Sequence, residues 1–342
     1  TLLSGAGGRR NMIINGGMQV AQRGTSTAWA SNGYLSLDRF YHNNNNTAGR
    51  FTSIQTADGP SGFANCLEID VTTADTSIAA NEHMVLQYKL EGQDLQQIAK
   101  GTADAKQVTV SFYVKGNASA TYVCELFDRD NTRLNQQQFS VTSGWTRVEL
   151  TFAADTTGAF GDDNAHSLDI QFWLHAGADF TGGSYTANTW AGQTNANRAV
   201  GISSIYSSTS NYFRITGVQL ELGTAATDFE HRSYGEELAL CQRYWSQSAA
   251  LSTLNGCAAF LAFNTNEAFG GVEFPVTMRA TPTIVTYNNG GTSGGCHKLG
   301  SPDITGVTNS LVTITGFSML NKSGGFVDGA SYGCTYSADA EL

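Results

Sequence analysis

Histidines and closely spaced carboxylates are the side chains of this sequence that could carry out chemistry. The six histidines are His42, His83, His166, His175, His231 and His297. None of them lies in an H-E-x-x-H metal-binding helix or accompanies a G-x-S-x-G nucleophile motif. Glycoside hydrolysis needs two carboxyl groups that flank a cleft, and the candidates are Glu125, Asp128, Asp130, Asp162, Asp163 and Asp179. Nothing in the spacing pairs these carboxylates, so the sequence predicts no catalytic residue and a protein that is not an enzyme.

Cysteines and aspartate-rich turns are the candidates for metal binding. The six cysteines are far apart and form no C-x-x-C pair, which argues against a zinc site. Buried free thiols are expected at all six positions, which are Cys66, Cys124, Cys241, Cys257, Cys296 and Cys334. The runs DRDN (128–131) and FGDDN (160–164) offer oxygen atoms to Ca²⁺. We therefore predict no cofactor and assign no metal ligand, and a structural calcium ion stays open.

Aromatic side chains in polar segments indicate binding rather than catalysis. Tyr185 and Trp190 lie in a stretch rich in Gly, Asn and Thr, at 176–200. The C–H faces of sugars stack on flat rings, while Asn, Gln and Asp side chains bond sugar hydroxyls. Tyr185 and Trp190 are therefore candidates for glycan binding. The alternative is that such rings close the end of a β-sandwich or contact another subunit.

Composition limits the possible partners. The chain of 342 residues has a net charge of −10 and no basic stripe, which argues against nucleic acid and an anionic membrane surface. No run approaches 18 apolar residues, so no membrane insertion is predicted. Residues 1–10 (TLLSGAGGRR) have no apolar signal-peptide region, and we expect a flexible arm there.

Short segments of alternating polarity predict an all-β protein. Strands at intervals of 10–20 residues, without interleaved amphipathic helices, favour a β-sandwich of the jelly-roll form. The predicted strands include 11–22, 107–115, 121–127, 168–174 and 213–222, and the four asparagines at 43–46 are assigned to a loop. The predicted domains are a flexible N-terminal arm at 1–10, a jelly-roll sandwich at 11–229, a linker and helix at 230–247, and a smaller C-terminal β domain at 248–342.

One helix is predicted, at about 234–246. Ser233 precedes Glu236 by three residues, which is the capping-box spacing at a helix start. Leu238, Cys241 and Trp245 follow at spacings of three and four, so they share one face. An isolated helix of about 12 residues is marginal in water. We therefore predict that Leu238, Cys241 and Trp245 form an oligomer contact.

Four stretches carry a resemblance to a known class of proteins. They are NMIINGGMQVAQRG (11–24), GVQLELGTAATDFEHRSYGEELALCQRYW (217–245), FPVTMRATPT (274–283) and ADAEL (338–342). The chain resembles structural proteins of tailed-bacteriophage tail fibres and appendages, which often contain jelly rolls like those of carbohydrate-binding modules.

The resemblance implies a virion protein that is assembled in the host cytoplasm, contacts other virion proteins and forms homo-oligomers, commonly trimers. It also implies attachment to host-cell surface polysaccharide. Such jelly rolls often carry a structural calcium ion near their first and last strands, where this sequence offers Gln19, Gln219 and Glu221. The alternatives are a purely structural decoration or adaptor protein without a ligand, and a carbohydrate-active enzyme.

Two glycine-rich segments of the C-terminal domain are further candidates for glycan binding. In the proteins that this chain resembles, the C-terminal module commonly lies away from the particle. The segments 288–300 and 321–329 are predicted loops, and glycine lets a backbone approach a ligand closely. Their polar candidates are Asn288, His297, Lys298 and Asn321. The alternative is that these segments are simply turns.

Overall fold

A computed structural model describes residues 9–254, 256–298 and 300–342. The chain divides into two compact units, the first reaching Glu237 and also including Leu342, the second running from Leu238 to Glu341. Described strand pairs are antiparallel throughout. The predicted fold class is confirmed: a jelly-roll β-sandwich, a short helix and a smaller β domain. The predicted arm at 1–10 lies mostly outside the described residues.

The first unit consists of strands with short helical segments between them. Its strands are β1 (Ser26–Ala28), β2 (Gly33–Tyr34), β3 (Phe40–Asn45), β4 (Arg50–Thr56), β5 (Cys66–Thr73), β6 (His83–Glu91), β7 (Val108–Gly116), β8 (Ala120–Asp128), β9 (Arg133–Val141), β10 (Thr146–Phe152), β11 (His166–Ala176), β12 (Ala191–Gly192) and β13 (Tyr212–Leu222). The helical segments are Gly92–Ile98, α1 (Ala178–Thr181), Asn195–Asn197 and Ile205–Ser207. None of the described helices of the chain has the length and apolarity needed to cross a membrane.

Two sheets of the first unit enclose its core. Within the described residues, one sheet has the order β1-β4-β5-β13-β7-β10 and the other β12-β9-β8-β11-β6-β3-β2. Alternation along a strand sends every second side chain inward, as at Ile170, Phe172 and Leu174 of β11, which are fully buried. Phe172 meets Phe112 of the opposite sheet edge-to-face at 5.0 Å. Aromatic and aliphatic side chains from both sheets thus form the core of the sandwich.

Two secondary-structure predictions for this unit, one strand and one loop, are wrong. Residues 11–22 form a loop, which Asn15 organises through hydrogen bonds to the backbone of Gln19, Val20 and Asp38. The asparagines at 43–45, predicted as a loop, belong to β3. Asn44 points inward, where it accepts a hydrogen bond from the Tyr206 hydroxyl at 2.9 Å. A specific polar partner therefore overrides the low strand preference of asparagine.

The predicted helix is shorter than expected. Helix α2 spans Tyr234–Gln242, and the Glu236 N–H in its first turn donates a hydrogen bond to Ser233 Oγ, just before the helix. Trp245 lies on the following strand, so the prediction that it shares a helical face with Leu238 and Cys241 is wrong. Cys241 is fully buried within its own chain and Leu238 is half-buried. The apolar side chains of this helix therefore pack largely within one chain.

The second unit is built around one long strand. Its strands are β14 (Trp245–Gln247), β15 (Ala258–Ala262), β16 (Glu267–Glu273), β17 (Thr283–Tyr287), β18 (Gly295–Lys298), β19 (Asp303–Thr305), β20 (Thr308–Thr313), β21 (Gly316–Asn321) and β22 (Ser331–Asp339). Among the described residues, β22 pairs with β14, β15, β17 and β18. The segment 288–300, predicted as a loop, thus contains strand β18. Its neighbouring residues Gly295 and Cys296 are both small and buried, so the segment lacks the alternation of polar and apolar residues that predicts a strand.

Candidate functional site

A polar cavity lies at one end of the first unit. It has a volume of about 210 Å³ and is enclosed by the β7–β8 hairpin, the segment 203–211 and the start of β13. We call it the serine groove; its lining residues are Gly116, Asn117, Ala118, Ser119, Ala120, Tyr122, Val141, Ser203, Ser204, Ser207, Asn211 and Tyr212. A shallower depression of about 300 Å³ shares Ser119, Ala120, Val141 and Ser203 with it and adds the hydroxyls of Thr121, Ser140 and Thr142.

Hydrogen bonds between its two walls hold the serine groove open. The amide of Asn117 donates to Asn211 Oδ1 at 3.0 Å, and the N–H of Tyr212 donates to Asn117 Oδ1 at 3.3 Å. On the other side, Ser203 Oγ accepts from the Thr121 N–H at 3.1 Å. These bonds tie the hairpin to the 203–211 segment, so the groove is formed before a ligand arrives.

The lining of the serine groove carries hydroxyl and amide groups and contains no Asp, Glu, His, Lys or Arg side chain. Serine hydroxyls both donate and accept hydrogen bonds, and asparagine offers both roles as well. Burial raises the pKa of the Tyr122 hydroxyl, so this phenol stays neutral. A lining of this type matches an uncharged ligand with several hydroxyl groups.

Contacts within the first unit hold the Trp190 side chain. Its indole N–H donates to the Ala153 carbonyl at 2.7 Å, and its ring packs against the main core. The Lys100 ammonium lies 5.3 Å from the ring centroid. The ring is therefore held by structural contacts, and whether it also touches a glycan stays a prediction.

Tyr185 is also tied to the fold. Its hydroxyl accepts a hydrogen bond from the Gln138 N–H of β9 at 2.7 Å. The segment around it runs along β9, where the Asn188 N–H donates to the Gln136 carbonyl at 3.0 Å. A small depression of about 100 Å³ lies in this segment, lined mainly by threonine, Ser184 and Asn197. Tyr185 and Trp190 contact different parts of β9 and do not form one stacking platform.

The four candidates of the second unit do not form one loop site. Asn288 is 4% exposed, and its Oδ1 accepts from the N–H groups of Gly290 and Thr292. His297 and Lys298 lie on β18, where His297 Nδ1 is 2.6 Å from Asp303 Oδ1. Asn321 ends β21 and donates to Ser310 Oγ at 2.8 Å. Asn288 and Asn321 thus stabilise turns and strand ends, while Lys298 keeps a half-exposed side chain on β18.

Ion pairs or backbone hydrogen bonds hold four of the carboxylates that the sequence offered as glycosidase candidates. Glu125 is fully buried and accepts from the Arg198 guanidinium at 2.6–3.2 Å. Asp128 lies 2.5 Å from Lys100 Nζ and has no exposed side-chain surface. Asp130 accepts from the Gly161 N–H at 2.9 Å, and Asp163 from the Ala165 N–H at 2.9 Å. These contacts assign the four carboxylates a stabilising role.

The residues suggested for structural calcium bond to each other and to the chain. Gln219 Nε2 donates to Glu221 Oε1 at 2.8 Å, and Gln219 Oε1 accepts from the Glu230 N–H. Thr227 donates to both Glu221 oxygens. Gln19 lies in the loop that replaced the predicted first strand. The oxygen atoms of Gln219 and Glu221 are thus engaged by protein donors.

Sequence reasoning missed the serine groove because its two walls are about 90 positions apart in the chain. The signal was the pair of runs GNASA (116–120) and SSIYSSTSN (203–211), both rich in side chains that bond hydroxyl groups. Sequence reasoning also missed the buried cluster of Asp75, Glu82 and His175. The six cysteines are free thiols; five are buried as predicted, while Cys257 is half-buried.

No family model matches the chain, and no curated protein matches it. Among solved structures, CBM4 is 11% identical, covering 61% of this chain and 98% of its own, with a TM-score of 0.33. The enzymatically active domain of bacteriophage CBA120 tailspike protein 4 is 12% identical, covering 62% of this chain and 21% of that chain, with a TM-score of 0.33.

A third similar structure is the family 11 carbohydrate-binding module from Clostridium thermocellum in complex with a mixed-linked tetrasaccharide. It is 11% identical, covers 60% of this chain and 98% of its own, and has a TM-score of 0.29. Identities and scores this low say nothing about a ligand, so any proposal about function rests on this chain's own residues.

Proposed function

We propose that this chain is a homo-oligomeric subunit of a bacteriophage tail fibre or appendage, and that it binds an uncharged saccharide of the host surface without cleaving it. The observation that carries the binding proposal is the serine groove, which has hydroxyl and amide side chains, two tyrosines and no charged lining residue. The assignment to a virion is supported by the sequence resemblance of the four stretches described above. The first unit supplies the ligand site in this proposal.

Affinity electrophoresis in gels that contain neutral or acidic bacterial surface polysaccharides tests this function. Retardation by a neutral polysaccharide, with no release of fragments, is the expected result. Depolymerisation would show a carbohydrate-active enzyme instead. Migration unaffected by the whole panel would favour the decoration or adaptor protein without a ligand.

Filling the serine groove should abolish the retardation. Ser119 is exposed and lines the groove, so Ser119→Trp places a large ring in the ligand space without burying a new polar group. We expect at least a tenfold loss of affinity, while the free energy of unfolding changes by less than about 0.5 kcal/mol, as is usual for surface positions.

The matched control for this variant is Ser61→Trp, which adds the same ring at an exposed serine outside the groove. It should keep the affinity of the unmodified protein. Full binding by Ser119→Trp would exclude the serine groove as the site.

An exposed apolar surface of the second unit is our proposed contact between copies of the chain. Leu261 and Phe269 lie directly opposite each other on β15 and β16, and each is 54% exposed; Phe263, two residues beyond Leu261, is 49% exposed. Large apolar side chains clustered on one surface commonly mark an interface. This surface replaces the helical face of Leu238, Cys241 and Trp245 as the proposed contact, and the resemblance favours a trimer.

The double variant Leu261→Asp, Phe269→Asp should convert the oligomer to single chains, because charges placed on a desolvated contact are strongly unfavourable. Multi-angle light scattering measures the mass. Val327→Asp, at another exposed apolar residue of this unit, should leave the mass unchanged. An unaltered oligomer in the double variant would refute this contact.

A further inference from the structure

Three buried side chains of different types converge near the end of the sandwich that also holds the serine groove. Asp75 follows β5, Glu82 precedes β6, and His175 lies near the end of β11. Their side-chain ligand atoms all lie within 4.8 Å of one another. The three residues are 6%, 5% and 0% exposed. This cluster takes no part in the proposed saccharide contact.

Glu82 lacks the partners that a buried carboxylate normally has. Its side chain is 7% exposed, and in the described part of the chain its carboxylate has one polar contact, to His175 Nε2 at 3.4 Å. No lysine or arginine of the described residues forms an ion pair with Asp75 or Glu82. A buried charge is costly unless it is paired or coordinates a metal ion, so this arrangement calls for a cation.

The neighbours of the cluster orient its three ligands. His175 Nδ1 lies 2.8 Å from Ser204 Oγ, so an N–H at Nδ1 leaves the Nε2 lone pair facing Glu82. A hydrogen bond at the second ring nitrogen is the usual support of a metal-binding histidine. Asp75 Oδ2 accepts from the Thr47 hydroxyl at 2.7 Å and the Ala48 N–H at 2.8 Å, and Oδ1 accepts from the Ser77 N–H.

Gly177 allows the segment that precedes β6 to approach the end of β11 closely. Gly177 follows β11 by one residue, and a Cβ added to it would lie 1.9 Å from the Ala79 carbonyl oxygen. Its N–H donates to the Glu82 carbonyl at 2.8 Å. A larger residue at 177 would push the segment of Glu82 away from the end of β11, so the backbone is shaped to bring the carboxylate to His175.

We propose that Asp75, Glu82 and His175 bind one divalent transition-metal ion, with Zn²⁺ as the preferred occupant. Two carboxylates and one imidazole are a ligand set that zinc accepts, with water as the fourth ligand. Bonds of about 2.0–2.1 Å in a tetrahedron separate neighbouring ligand atoms by about 3.3 Å, close to the 3.4 Å between His175 Nε2 and Glu82 Oε2. Ca²⁺ prefers six to eight oxygen atoms, which an imidazole does not supply.

The ion would join the segment 75–82 to β11 and, through Ser204, to the wall of the serine groove. Binding to the folded state alone raises stability by mass action. The metal therefore acts as a structural clip in this proposal and holds the groove in shape.

Isothermal titration calorimetry of the chelator-treated 342-residue chain with ZnCl₂, paired with thermal melts, tests the site. We expect one high-affinity equivalent of Zn²⁺ per chain and a rise in Tm. In Glu82→Gln, which keeps the shape and removes the charge, affinity should fall at least a hundredfold and the rise in Tm should vanish. A larger response to Ca²⁺ than to Zn²⁺ would overturn the assignment of the ion.

The control variant is His297→Gln, since His297 and Asp303 form a half-exposed pair that could bind zinc weakly. This variant should keep the full equivalent. Zinc binding that survives Glu82→Gln and disappears in His297→Gln would place the metal in the second unit and refute the proposal, as would the absence of zinc binding to the unmodified protein. Melts of Glu82→Gln in chelator report whether the variant is folded, and we expect a Tm at or above that of the metal-free protein.

Discussion

Lys100→Ala is expected to lower the free energy of unfolding of the first unit by about 3–5 kcal/mol, the usual effect of removing one partner of a buried ion pair. Lys100 Nζ lies 2.5 Å from Asp128 Oδ2 and 3.1 Å from Asp155 Oδ2, and its side chain is 2% exposed. It also donates to the carbonyls of Thr157 and Gly158 at 2.8 Å. Alanine would leave two buried aspartates with one fewer cation and two carbonyls without their donor.

Urea denaturation of Lys100→Ala measures this effect. Lys106→Ala is the matched control, because Lys106 is exposed and its removal should change the free energy of unfolding by less than about 0.5 kcal/mol. If the free energy of unfolding falls by less than about 1 kcal/mol in Lys100→Ala, then Arg133 by itself compensates for the buried negative charges. Arg133 bonds Asp155 at 2.8 Å.

Acidification should weaken the fold in the range where His42 titrates. Burial lowers the pKa of His42 from 6.5 to about 4, and the ring stacks on Phe51 at 5.4 Å. The unfolded chain therefore binds a proton near pH 6.5 that the folded chain accepts only near pH 4. The contribution of neutral His42 to the free energy of unfolding is complete above pH 6.5. As the pH falls toward 4, this contribution is lost, which lowers the free energy of unfolding by about 3 kcal/mol at 1.36 kcal/mol per pKa unit.

Comparing the unfolding free energies at pH 7 and pH 4.5 isolates this effect. In His42→Leu the difference between the two pH values should shrink by about 2–3 kcal/mol, whatever the variant does to stability at pH 7. An unchanged difference in His42→Leu would show that His42 is hydrated in the folded state.

The buried carboxylate of Asp169 should cause a separate loss of folding stability at lower pH. Burial alone would raise the pKa of Asp169, but the bonds from His166 and Arg129 hold it below its ordinary value. Such a group stabilises the fold above the unfolded pKa, and that contribution is lost as the pH falls through the folded pKa. Its window lies below about pH 4 and does not overlap with that of His42.

The sandwich was predictable because its strands alternate so regularly. In β11 the inward residues Leu168, Ile170 and Phe172 are all large and apolar, and their packing against the opposite sheet decides the fold. The asparagines of β3 were not predictable, because they owe their strand conformation to distant partners such as Tyr206. Trp245 left the predicted helical face because β22 offers its backbone a ladder of hydrogen bonds.

The candidate site was less predictable than the fold. Asn117 and Asn211 bond across the serine groove although 94 positions separate them, and no spacing rule in the sequence joins them. Glu82 and His175 are 93 positions apart in the chain and meet because β11 pairs with β6. Trp190 was predicted as a candidate for glycan binding, but the hydrogen bond from its indole N–H to the Ala153 carbonyl is visible only in the fold.

Hydrogen–deuterium exchange with and without a neutral saccharide retained by the protein tests whether the serine groove is the ligand site. We expect slower exchange at 116–121 and 203–212, the two walls of the serine groove, and unchanged exchange at 185–190 and in β18 and β21. Protection confined to β18, β21 or the segment 185–190, or no protection at all, would contradict this assignment.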